Sequence, residues 1–136
     1  MVAWRHGAVR AERKSPLSVN EPSSLALAER IAAAAADKLA TDIVLLDMRE
    51  VVSYTDWLVI MTARSDRQAR AVAEEIQTRL KQEDRTLPQR TEGEREGTWI
   101  LLDYLDVVAH VFVPESREFY RLDRLWGQVP TVEYAS

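Results

Sequence analysis

The chain has no cysteine, only two histidines, four glycines and five prolines in 136 residues. Without cysteine there is no disulfide framework, no thiol nucleophile and no thiolate metal site, and two histidines leave too few ligands for a zinc centre. No metal and no cofactor are therefore expected. The scarcity of glycine and proline excludes collagen-like and low-complexity chains. The glycines, Gly7, Gly93, Gly97 and Gly127, are too dispersed for a P-loop or a dinucleotide fingerprint. Apolar runs fall far short of the roughly 20 residues that a membrane-spanning helix needs, so no membrane crossing is expected.

What is present suits a folded domain with a core: 46% of residues are hydrophobic and 29% charged, and the length is that of one domain. The formal charge of −4 is unevenly placed. Residues 1–20 hold Arg5, Arg10, Arg13 and Lys14 against Glu12, a net +3, which leaves −7 on the rest. An acidic body repels phosphate backbones, so extensive direct binding of nucleic acid is disfavoured and a basic protein is the better electrostatic match.

Residues 1–22 lack apolar periodicity and read as a flexible basic tail, residues 23–128 as a single domain, and residues 129–136 as a C-terminal tail. Ser23 or Ser24 can cap a first helix with Leu27, Ile31, Ala35 and Leu39 along one face. Two short β-branched runs follow, Asp42 to Met48 and Trp57 to Thr62, and suit central strands. Ser65-Asp66-Arg67-Gln68 fits a capping box, and Ala69, Val72, Ala73, Ile76 and Leu80 give the stripe of a helix lying on a sheet. A polar stretch, 84–97, allows one short edge strand near Leu87 and Pro88. Trp99 to Tyr104 and Val107 to Val113 read as a hairpin. Ser116 can cap a last helix with Phe119, Leu122, Leu125 and Trp126 on one face. The fold class is α/β, a mixed sheet flanked by helices, in the order α-β-β-α-(β)-β-β-α.

Catalytic constellations are sparse. Metal-dependent phosphoryl transfer wants two carboxylates at i and i+2 on one strand face, and none of the expected strands carries such a pair. Glu92, Glu94 and Glu96 alternate but lie in the polar stretch, where they read as solvated. His110 sits in an apolar strand with no serine or cysteine nucleophile beside it and reads as a core histidine. Arg64 and Arg67 flank Ser65 at a helix start, which fits capping and also fits an anion. The unusual feature is aromatic placement. Trp99, Leu101 and Asp103 share a strand face by period-2 alternation, and the turn is expected to expose Tyr104 beside them. Such a tryptophan fits a core, but Trp and Tyr at a sheet rim are also the residues that dominate binding hot spots.

As an ordered set, several segments resemble the ribosomal silencing factor family, also called RsfS or Iojap-related proteins. They are Asp42-Ile43-Val44-Leu45-Leu46-Asp47, Thr55-Asp56-Trp57-Leu58-Val59-Ile60, Ser65-Asp66-Arg67-Gln68, Trp99-Ile100-Leu101-Leu102-Asp103-Tyr104 with Asp106-Val107-Val108 and His110-Val111-Phe112, then Arg117-Glu118-Phe119-Tyr120 and Leu125-Trp126. Two positions depart from the family pattern, Ala63 and Leu105, where glycine is usual. The resemblance implies a nucleotidyltransferase-like fold without the active site. It also implies binding to the large ribosomal subunit through ribosomal protein uL fourteen, a block on small-subunit joining when nutrients run short, and homodimers off the ribosome. Trp99, Leu101, Asp103 and Tyr104 match the family's partner-contacting strand.

The rival reading from another class is a divergent nucleotidyltransferase using Asp47 or Asp103 with Ser65; a third is a dimeric adaptor unrelated to ribosomes. A bacterial cytosolic setting is expected, because the basic tail is not amphipathic enough for a transit peptide.

Overall fold

Residues 23–134 are described by a computed structural model; the segment expected as a basic tail, 1–22, lies outside the described residues. Ser23 caps the first helix, α1 (Ser24–Asp37), its Oγ accepting from Ala26 N–H at 3.0 Å. The alanine run makes one thin face: Ala28, Ile31, Ala32, Ala34 and Ala35 are fully buried. Leu39, expected to extend that stripe, instead takes φ 67° and is 65% exposed. It stands at the left-handed C′ position of a Schellman end, with Ala40 N–H donating to Ala35 O and Leu39 N–H to Ala36 O.

Strands β1 (Thr41–Asp47) and β2 (Trp57–Thr62) pair antiparallel and lead to α2 (Asp66–Asp84). Ser65 Oγ accepts from Gln68 N–H as the capping box requires, whereas Gln68 Oε1 accepts from Arg64 N–H, one residue earlier than in the standard box. Gln68 Nε2 donates to Lys38 O, tying the start of α2 to the end of α1. The edge strand β3 (Arg90–Glu92) falls two residues after Pro88. Strands β4 (Trp99–Asp103) and β5 (Val107–Phe112) form the expected hairpin.

The final helix is two pieces, α3 (Pro114–Tyr120) and α4 (Leu122–Leu125), broken where Arg121 adopts φ 47°. Its cap is Val113 with Pro114 at the first helical position, not Ser116. Residues 129–136 were expected as a tail, but Thr131–Glu133 form β6 against β1 and Val129 is buried. A strand of three residues with its side chains exposed carries no alternation from which to read it.

The sheet order is β3-β4-β5-β2-β1-β6, with β2 and β5 parallel and every other pair antiparallel, so it is mixed as expected. Strand parity divides the core. One face, with Leu45, Val59, Met61, Ile100, Leu102, Ala109 and Val111, is covered by α1 and α2. The other, with Leu46, Leu58, Ile60, Leu101, Val108 and Phe112, is closed among the described residues by Met48, Leu122 and Val129, with Val52, Trp99 and Trp126 at its margin.

Candidate functional site

The less covered sheet face carries the aromatic cluster. Trp99 pairs in register with Phe112 across the β4–β5 ladder, and His110 is the next residue on the same face of β5. The Trp99 ring stacks on Phe112 at 5.0 Å between centroids, lies 5.9 Å from His110, and meets Tyr120 of α3 at 4.4 Å. Phe119 packs edge-on to Tyr120 at 4.9 Å. Exposure rises outward: His110 and Phe112 are fully buried, Trp99 is half-buried, Tyr120 is 46% exposed and Phe119 79%. The strand thus supports a ladder of rings that reaches solvent through α3.

The four residues read from sequence are separated by burial. Trp99 alone among them reaches the surface; Leu101 is 3% exposed and Asp103 is closed off. Asp103 Oδ1 accepts from Leu105 N–H at 2.9 Å and its Oδ2 lies 3.6 Å from Arg90 Nε, so the carboxylate braces the hairpin and its neighbouring strand. The expectation that the turn exposes Tyr104 is not met. Period-2 alternation carries past Asp103 and turns Tyr104 to the helix-covered face with Ile100 and Leu102, leaving it 6% exposed. Burial pushes the Tyr104 phenol well above its ordinary pKa.

His110 is held neutral: burial pushes its pKa down to about 3, against an upward pull from Asp103. Its Nδ1 accepts from Trp99 Nε1–H at 2.9 Å. Sequence reasoning placed Phe119 and Leu125 on a buried helical face, yet they are 79% and 66% exposed.

The trio of the rival reading is not assembled. Asp47 ends β1 on the opposite sheet face from Asp103 and three strand spacings away, about 14 Å. Both of its oxygens are taken by Arg49, at 2.9 and 2.7 Å. Ser65 follows the far end of β2 and caps α2. Among the described residues no cluster of three His, Asp or Glu could hold a metal, and no helix is long and apolar enough to cross a membrane. A groove of about 860 Å³ between the start of β1, α3 and α4 sets Arg117, Arg121 and Arg124 among Asp42, Asp123 and Glu133. Arg117 is engaged there, donating to Asp42 O and to Thr62 Oγ1 at 2.8 Å.

Fold and site define an α/β domain with a six-stranded mixed sheet, sealed by helices on one face and lined by aromatics on the other. This chain belongs to the ribosomal silencing factor family: residues 21–136 match the family model described as ribosomal silencing factor during starvation. It is 38% identical to the ribosomal silencing factor RsfS of Bacillus subtilis over 85% of this chain and 94% of that protein. It is 33% identical to the chloroplastic protein Iojap of Zea mays over 84% of this chain and 49% of that longer protein. The crystal structure of a Chromobacterium violaceum protein superposes with a TM-score of 0.75 at 29% identity, covering 85% of this chain and 95% of that one. The family is thus named for a regulatory role rather than a catalytic one.

Proposed function

We propose that this chain represses translation by binding the large ribosomal subunit through ribosomal protein uL fourteen and sterically blocking the small subunit. No bond is made or broken; the effect follows occupancy of a surface that the small subunit must reach. The observation that carries the reading is membership of a family named for silencing ribosomes, matched over residues 21–136. Trp99 is the contacting anchor of the four-residue site, and Leu101, Asp103 and Tyr104 set the strand and turn beneath it. A half-buried tryptophan on a packed ring ladder suits a hot spot, because large area is buried at little entropic cost. The net charge of −7 on residues 21–136 suits a basic ribosomal protein. Off the ribosome two copies pair, and the setting is the bacterial cytosol.

The test is a subunit-joining experiment with purified subunits, read on density gradients at several salt concentrations. The protein should co-sediment with free large subunits and hold the small subunits apart in proportion to dose. Trp99→Ala with near-native melting should weaken large-subunit binding by about 2 kcal/mol, roughly thirtyfold. No shift in joining at any dose would remove the proposal, and full affinity in Trp99→Ala would move the binding face elsewhere.

A further inference from the structure

We infer that His110 is a positioning residue whose Nδ1 holds the Trp99 indole in the orientation that the partner meets. The inference rests on the proposal that Trp99 is the contact. The His110 side chain is fully buried, and among the described residues its one hydrogen bond is accepted from Trp99 Nε1–H at 2.9 Å. With Nδ1 accepting, the neutral ring carries its proton on Nε2, and that buried nitrogen has no hydrogen-bond partner among the described residues. A buried unsatisfied donor costs roughly what one hydrogen bond returns, so the imidazole gives the fold little that a phenyl ring would not. What a phenyl ring cannot do is accept from the indole. Phe112 stacks on the Trp99 ring at 5.0 Å and Tyr120 meets it tilted at 4.4 Å, but both are apolar surfaces to it and neither fixes where the indole N–H points. The Trp99–His110 bond is the directional contact that distinguishes one indole orientation from its flipped alternative.

A merely structural histidine and a positioning one therefore predict different things for His110→Phe in the full chain. The positioning role predicts melting at or above that of the natural protein together with about tenfold weaker binding to purified large subunits, the usual scale for losing a pre-ordered contact side chain. Trp99→Phe breaks the same bond from the other side. Its cost in affinity should be smaller in a His110→Phe background than in the natural protein. A readout that needs no ribosome is solvent exchange of the Trp99 indole N–H by NMR, assigned by its loss in Trp99→Phe: exchange should be slow in the natural protein and at least tenfold faster in His110→Phe. Unchanged exchange would overturn the inference, as would a folded His110→Phe protein that binds at full affinity while Trp99→Phe binds weakly. If slow indole exchange is found but neither variant changes binding, Trp99 is not the contact. The site reading then fails and takes the positioning role with it. If His110→Phe fails to fold, the residue is structural and the inference is overturned.

Discussion

Leu105 occupies the left-handed region, φ 72°, in the turn between β4 and β5, directly after Tyr104, whose N–H closes the turn by donating to Val107 O. Hairpin loops of this kind favour glycine there, since a Cβ at positive φ costs about 1 kcal/mol or more. Leu105→Gly should therefore raise stability by up to about 1 kcal/mol in a urea titration, with the strand pairing unchanged. The other replaced glycine behaves differently: Ala63 is buried and has no positive φ. A close approach that does require glycine is at Gly93, where φ is 82° and a Cβ would stand 1.9 Å from the Trp99 carbonyl oxygen. His110 makes a second residue-scale prediction. Its folded pKa of about 3 lies below the unfolded value of 6.5, so the unfolded chain binds the extra proton between those limits. Stability is full above pH 6.5 and falls as pH drops towards 3, by about 1.4 kcal/mol per pH unit within that window. Between pH 6.5 and 5 the His110→Phe variant should lose less stability than the natural protein, and equal slopes would contradict a neutral buried imidazole.

At the scale of elements, α3 is short and buries none of its own residues, so its attachment to the sheet depends on few contacts. Arg117 supplies them, reaching Asp42 O at the start of β1, Thr62 Oγ1 at the end of β2, and Asp123 Oδ2 in α4. Its side chain is 14% exposed, so these bonds are poorly screened. Arg117→Ala should cost about 2 kcal/mol of stability and release α3 together with Tyr120 from Trp99. Amide exchange in α3 should rise well above that in β5, and uniform exchange across the two would show that ring packing alone holds the helix. The longer elements were legible before the fold was seen: α2 has the apolar stripe of Ala69, Val72, Ala73, Ile76 and Leu80, all buried as read. The α3–α4 break was not. Arg121 is neither glycine nor proline, and its left-handed turn answers to the docking of Arg117 and Leu122, which no local pattern encodes.

For the whole molecule, charge and coverage matter more than any single bond. The described chain has its helices α1 and α2 stacked on one sheet face, with Arg79 bonded to Asp37 and Glu75, while the other face keeps its apolar rim of Phe119, Tyr120 and Leu125 in solvent. An acidic domain approaching a basic partner should associate faster at low salt. The association rate with large subunits should fall as ionic strength rises while the dissociation rate moves little, because dissociation is governed by the apolar contacts. Surface-immobilised subunits measured at several salt concentrations would separate the two rates. A salt-independent association rate would mean that the charge balance plays no part in docking.

By itself, the amino-acid sequence determined the strand and helix periodicities, a first cap at Ser23 or Ser24 and the cap at Ser65, the parity that puts Trp99, Leu101 and Asp103 on one face, and the family. These are local or ordered along the chain, and the alternation of a strand or the stripe of a helix is visible without knowing its partners. Tertiary structure alone decided that β2 and β5 lie parallel side by side, that residues 131–133 close the sheet against β1, and that two helices cover one face. It also decided which side of the strand was free. Parity assigns side chains to two faces but cannot say which face the helices will take, and only that choice buried Tyr104 and left Trp99 at the margin.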